Sequence, residues 1–224
     1  MTVSNLADLI TAITTANMST GPHTITLEGP DSAFVVDVPS GDMFGDLAFP
    51  KIIQEIEIDG NGIAITRALG AAAFRFFGID AKSPNTYGKL TLRNLKLFNG
   101  DSGDAGGGAI VNDGQLFIYA CHFSGNVADT YGGAVYLGDL KPLVVEDSTF
   151  TNNTATGTNA RGGEIFASTD SAMSITNCSF FGNRVVGSGS NGAAIYATNG
   201  VSAAMHDSNL NCNFTVDSTG QDTL

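Results

Sequence analysis

Positive charge is scarce in this chain: ten Lys and Arg stand against 22 Asp and Glu in 224 residues, a net charge of −12. Such a surface repels phosphate backbones and anionic headgroups, which argues against a nucleic-acid partner. Long apolar runs are missing as well. The longest, such as Leu69 to Phe77, fall short of the about twenty residues a spanning helix needs, so no membrane span is expected. Cysteine is limited to Cys121, Cys178 and Cys212, an odd number with no CxxC and no metal-ligand spacing. This excludes a disulfide framework and a zinc site, and the three are read as small buried residues. Charged residues make up only 14% of the chain. What remains is 42% apolar residues and 28 glycines, enough for a core wound through many tight turns, and a single all-β domain is expected.

The chain is organised by a repeat. Gly107-Gly108-Ala109-Ile110, Gly132-Gly133-Ala134-Val135, Gly162-Gly163-Glu164-Ile165 and Gly192-Ala193-Ala194-Ile195 follow one another through the second half. Phe123-x-x-Asn126, Phe150-x-x-Asn153, Phe180-x-x-Asn183 and Leu210-x-x-Asn213 keep step with them, and Leu97-x-x-Gly100 is a degenerate earlier copy. Between these lie alternating pairs: Leu90 and Leu92, Leu116 and Ile118, Leu143 and Val145, Met173 and Ile175, Ala203 and Met205. Period two means strand, and no helix-length segment separates the strands. The reading is an all-β, right-handed parallel β-helix whose coils stack at about 4.8 Å, so that like residues form ladders. Ile110, Val135, Ile165 and Ile195 then form one inward column. The four Asn residues form a corner ladder, taken to tolerate left-handed φ. The glycine pairs answer a need for positive φ or close backbone approach, and with no helix following them they are not phosphate loops.

Ser4 to Asn17 reads as an N-terminal capping helix with Leu6, Leu9, Ile10 and Ile13 on one face and Ser4 as N-cap. The expected layout is a cap over residues 1–20, irregular early coils over 21–89, regular coils over 90–214 and a tail over 215–224. Strands are expected at His23 to Leu27, Phe34 to Val38, Ile52 to Ile58 and Ile63 to Thr66. The polar, aperiodic stretch Thr215 to Leu224 offers no second cap. Either the solenoid continues in a longer protein, the favoured reading, or its last coil associates end to end with another molecule.

The Gly-Gly-Ala-Ile/Val and Phe-x-x-Asn repeats, over Leu90 to Asn213, resemble those of chlamydial polymorphic outer membrane proteins and related bacterial surface adhesins. Leu6-Ala7-Asp8-Leu9-Ile10 through Asn17, followed by Thr24-Ile25-Thr26-Leu27, is similar to the cap and first strand of secreted bacterial β-helix proteins. The resemblance implies an extracellular or cell-surface location and adhesion. Glu164 in place of Ala, Ala193 in place of Gly and Leu210 in place of Phe depart from the pattern.

For chemistry, the outward file Val111, Tyr136, Phe166 and Tyr196 predicts an aromatic stripe. Tyr136, Phe166 and Tyr196 are the candidate binding residues, for a glycan or a surface protein, unless a loop covers them. Aligning the coils puts Asn94, Ala120, Asp147, Asn177 and Asp207 in one file and Arg93, Tyr119, Glu146, Thr176 and His206 in the next. Asp147 and Asp207 suit an inverting carboxylate pair only loosely, and a corner ladder is preferred. His122 and His206 lack a nucleophile or ligand partner. Glu164 is expected to pair with Arg161 or Arg184 on the exterior, and Asp101 to Gly107 lacks the order of a calcium loop. No catalytic residue, metal or cofactor is assigned. The expected function is a non-catalytic surface module for adhesion, glycan binding or matrix assembly, the alternatives being a polysaccharide lyase or glycoside hydrolase and a self-assembling filament subunit.

Overall fold

The computed structural model describes residues 1–29, 33–40, 47–83, 86–216 and 222–223. The chain winds through about six turns as a right-handed parallel β-helix with one short N-terminal helix. A regular coil has four strands, here Pro142–Glu146, Thr149–Thr151, Thr154–Thr156 and Ile165–Ala167, which belong in turn to sheets I, II, III and IV. Each pairs in parallel with its counterpart one coil on. Among the described residues two pairs are antiparallel instead: Ala81–Ser83 with Thr86–Tyr87, and Phe214–Val216 with Asp222–Thr223. The stretch expected to be an aperiodic tail thus contributes an edge strand, although residues 217–221 and 224 lie outside the described part.

Like side chains do sit over one another. Val135 pairs with Ile165, and Ile165 with Ile195. On sheet I, Leu116, Leu143, Met173 and Ala203 form one inward column and Ile118, Val145, Ile175 and Met205 another. Sheet II carries the rings of Phe123, Phe150 and Phe180, stacked at 5.0 and 4.9 Å. All three are fully buried, and each contributes about 1.5–3 kcal/mol through burial. The early coils share these walls. Ile56 and Ile58 lie in register under Leu90 and Leu92, and Ile25 lies under Ile58, so sheet I runs unbroken from Thr2–Val3 to Ser202–His206. It is the longest sheet, with eight strands, and therefore the longest flat exterior face available to a ligand.

The asparagine ladder exists, but its members do not make the bend. Asn126, Asn153 and Asn183 are buried inside the corner between sheets II and III. Left-handed φ falls on the residue before each: 65° at Gly125, 56° at Asn152, 68° at Gly182 and 54° at Cys212. The bend aims backbone groups away from any sheet partner, and the asparagine one coil on satisfies them from within: Asn153 Nδ2 donates to the Phe123 carbonyl and Asn153 Oδ1 accepts from the Asn126 amide. In the glycine pairs the two positions have different jobs. Gly132 has φ 62°, whereas a Cβ on Gly133 would stand 2.1 Å from the Gly163 carbonyl oxygen and 2.6 Å from the Thr154 nitrogen. The corner between sheets I and II is turned by Asn94, Ala120, Asp147, Asn177 and Asp207, all with φ between 48° and 51°.

The helix spans Leu6–Met18 and is capped by Asn5 rather than Ser4, whose side chain lies one residue too early. Asn5 Oδ1 accepts from the Asp8 amide at 2.9 Å, and Asn5 Nδ2 donates to the Asp8 carboxylate at 2.8 Å. Leu9, Ala12, Ile13 and Ala16 are buried over the core. Asn17 pins the far end, donating to the Lys51 carbonyl at 2.6 Å and accepting from the Ile53 amide at 3.1 Å. Among the described residues no helix is long and apolar enough to cross a membrane.

Candidate functional site

The outward side chains of sheet I form a shallow groove of about 230 Å³ across successive coils. Alternation dictates which residues face out. Ile56 and Ile58 point inward, so Glu55 and Glu57 point outward; the same rule turns Lys89, Thr91 and Arg93 outward on the next coil, with Thr91 buried beneath its neighbours, then Phe117 and Tyr119. Stacking brings complementary groups together. Lys89 Nζ meets Glu55 Oε1 at 2.7 Å and lies 5.1 Å from the centre of the Phe117 ring. Arg93 Nε donates to Glu57 Oε2 at 3.0 Å, and its guanidinium lies 4.2 Å from the centre of the Tyr119 ring. Both pairs are substantially exposed, so they add little to stability. What they do is gather two cations, two carboxylates and two aromatic rings on one face of the sheet. Such an array can match vicinal hydroxyls with paired donors and acceptors and a sugar ring with an aromatic edge.

Aligning the coils puts Arg93 and Tyr119 in one file but does not show Glu55, Glu57, Lys89 and Phe117 as their neighbours. The signal was present in the alternation of Glu55-Ile56-Glu57-Ile58, which takes the same form as Lys89 to Arg93. A longer connection between those two strands hid the register.

The predicted aromatic stripe is aligned as expected, with Val111, Tyr136, Phe166 and Tyr196 in register on sheet IV. Its rings, however, face one another. Tyr136 and Phe166 stack at 5.4 Å, and Phe166 and Tyr196 at 5.8 Å with planes 2° apart. Tyr131, from the loop ahead of the Gly132-Gly133 pair, covers Phe166 at 4.6 Å, and Arg161 lies 4.9 Å from the Tyr196 ring centre. Phe166 is therefore only 5% exposed, while Tyr136 and Tyr196 are half-buried. Of the two alternatives, exposed or loop-covered, covering is what the central ring shows.

Two other expectations change. Cys212 is exposed, because it occupies the outer bend at the corner instead of an inward column, whereas Cys121 and Cys178 are buried. Burial pushes the Cys121 thiol up to about 12, so it is inert as a nucleophile at neutral pH. Glu164 makes no exterior ion pair. It is fully buried, and among the described residues neither carboxylate oxygen has a hydrogen-bond partner of good geometry. The reason is local: the Ala134 and Val135 amides both donate to the Glu164 carbonyl, and the Glu164 and Ile165 amides both donate to the Ala194 carbonyl. The backbone is not extended there, so consecutive residues face the same side and alternation fails.

Asp147 accepts from Asn177 Nδ2 at 2.6 Å, which places it in a corner ladder. His122 Nε2 lies 3.0 Å from Thr151 Oγ1, and burial and then Lys96 lower its pKa. His206 and Asp207 are exposed on the last coil. Asp101 accepts from the Gly103 amide at 2.9 Å and pairs with Arg67 at 3.4 Å.

A family model described as a right-handed β-helix region matches residues 54–214. No curated protein and no solved structure matches the chain.

Proposed function

The chain belongs to the right-handed β-helix family, and from that premise we propose that it is a non-catalytic module, displayed outside the cell, whose sheet I groove binds a neutral glycan. The observation that carries this reading is the array of Lys89 and Arg93, each paired with a carboxylate and set over an aromatic ring. The net charge of −12 disfavours an anionic polymer, and the groove's own charges balance. The repeats support a place among surface-displayed bacterial adhesins, by the resemblance already drawn. Tyr136 and Tyr196 offer a second contact surface through their ring edges, but with Phe166 covered it is the smaller one.

On an array of neutral glycans, Phe117→Ala and Tyr119→Ala are expected to lose about 10- to 100-fold in affinity, as central aromatic contacts do. Tyr136→Ala and Tyr196→Ala should retain the parent's binding. Failure of the parent to bind any neutral glycan would sink the reading. Loss confined to the Tyr136 and Tyr196 variants would move the site to sheet IV.

A catalytic reading has one observation in its favour. Glu55 and Glu57 share a face of one strand, about 6.7 Å apart from strand rise, within the range of inverting carboxylate pairs. Both are held in ion pairs rather than one lying in the apolar pocket that makes a carboxyl a general acid. Reducing-end release from neutral polysaccharides, abolished in Glu55→Gln or Glu57→Gln, would overturn the non-catalytic reading.

A further inference from the structure

One rung of the corner between sheets I and II breaks the rule its neighbours follow. Asn94, Asp147, Asn177 and Asp207 turn that corner in left-handed φ, which Asn and Asp tolerate well. Ala120 adopts the same conformation, with φ 51°, yet has no polar side chain to stabilise it. It also interrupts the hydrogen-bond ladder. Asn94 Nδ2 donates to Asp59 Oδ1 at 3.2 Å and Asn177 Nδ2 to Asp147 Oδ1 at 2.6 Å, but nothing at position 120 links Asn94 to Asp147.

At this rung lies an open recess of about 470 Å³ lined by Asn94, Lys96, Ala120, His122, Asp147 and Thr149, of which the absent side chain accounts for only a small part. Asn94 and Asp147 are two coils apart, about 10 Å from strand spacing. His122 is held in place by Thr151 at 3.0 Å and by the Phe98 ring at 5.2 Å, so the wall is ordered. Arg93 and Tyr119, the groove residues, immediately precede Asn94 and Ala120 in the chain, and the recess therefore adjoins the groove across the corner.

We propose that the Ala120 notch is a second sugar subsite, continuous with the sheet I groove, so that the ligand is an oligosaccharide of at least two units laid across the corner. This rests on the glycan reading and extends it. The lining suits a hydroxyl-rich ring: the Asp147 carboxylate and Asn94 amide oxygen accept from hydroxyls, the Lys96 ammonium donates, and the Thr149 hydroxyl does either. A strained residue kept where an Asn would complete the ladder is how a fold holds space open for a ligand.

The test is Ala120→Asn, read on glucose, galactose and mannose and their linear dimers and tetramers, using the series the parent binds. The variant should melt about 2–4 °C higher, because Asn relieves the left-handed strain and restores the rung. It should bind dimer and tetramer at least 10-fold more weakly while binding the monosaccharide as the parent does. Asp147→Ala, exposed and outside the core, should show the same length-selective loss without the gain in melting temperature. Unchanged dimer and tetramer binding in both variants overturns the subsite and leaves the groove standing. A parent that binds none of the three series overturns the glycan reading and the subsite with it.

Discussion

Asn153→Ala should be among the most damaging single substitutions in this protein, costing about 3–5 kcal/mol, whereas Asn177→Ala, on the outer corner, should cost only about 1 kcal/mol. The difference is a matter of burial and of what is left behind. Asn153 is fully buried. Its Nδ2 donates to the Phe123 carbonyl at 3.2 Å and to Asn183 Oδ1 at 3.1 Å. Its Oδ1 accepts from both the backbone amide and the Nδ2 of Asn126, each at 2.9 Å. Alanine therefore strands two N–H groups of Asn126 and the Phe123 carbonyl, and leaves Asn183 Oδ1 only the bond from the backbone amide of residue 153. Each buried group left unpaired costs about 1–3 kcal/mol, partly relieved by relaxation. Asn177 is exposed, and water can satisfy Asp147 in its place. Urea unfolding followed by circular dichroism checks this. The melting temperature of Asn153→Ala should fall by roughly 10 °C, and equal midpoints for the two variants would show that the inner ladder carries no special weight.

That contrast also shows what the sequence made legible. Phe-x-x-Asn repeats specify a corner, and stacking of like residues follows from the motif's recurrence, so the walls, the Phe123–Phe150–Phe180 column and the asparagine ladder could be read directly. Which residue takes the left-handed bend could not. Asn, Gly and Cys share that position at 152, 125 and 212, so no single residue type marks it. The groove was hidden for a different reason. Ile58 and Leu92 are neighbours in space, as are Leu92 and Ile118, but the first pair is separated by a longer excursion, and the motif's recurrence was the only register signal available. The aromatic file was read in the correct register, yet its exposure depended on Tyr131, whose counterparts one and two coils on are Arg161 and Asn191, so no shared residue type marks the position.

Glu164 gives the second large effect, and its sign is opposite: removing the carboxylate should stabilise the fold at neutral pH. Burial raises the Glu164 carboxyl well above its usual range, an effect the neighbouring Asn153 side chain only partly offsets. In the unfolded chain the same carboxyl titrates near 4.3. Below that pH both states hold the proton, and the group's contribution to stability is fully present. As pH rises past it the unfolded state releases its proton while the folded state keeps it, so stability declines until the folded carboxyl itself ionises. Total stability also reflects the other acidic groups, which makes the difference between variant and parent the useful measure. For Glu164→Gln, isosteric and uncharged, the advantage over the parent should be near zero at pH 4. It should then widen by about 1.4 kcal/mol per pH unit for as long as Glu164 is protonated folded and ionised unfolded. Glu164→Ala restores the residue found at 109, 134 and 194, and should show the same slope offset by the cost of the space it vacates. Urea midpoints for the three proteins between pH 4 and pH 8 decide the matter. A gap that stays flat with pH would mean that the carboxyl reaches solvent, and that the same-side placement of Glu164 and Ile165 is not what buries it.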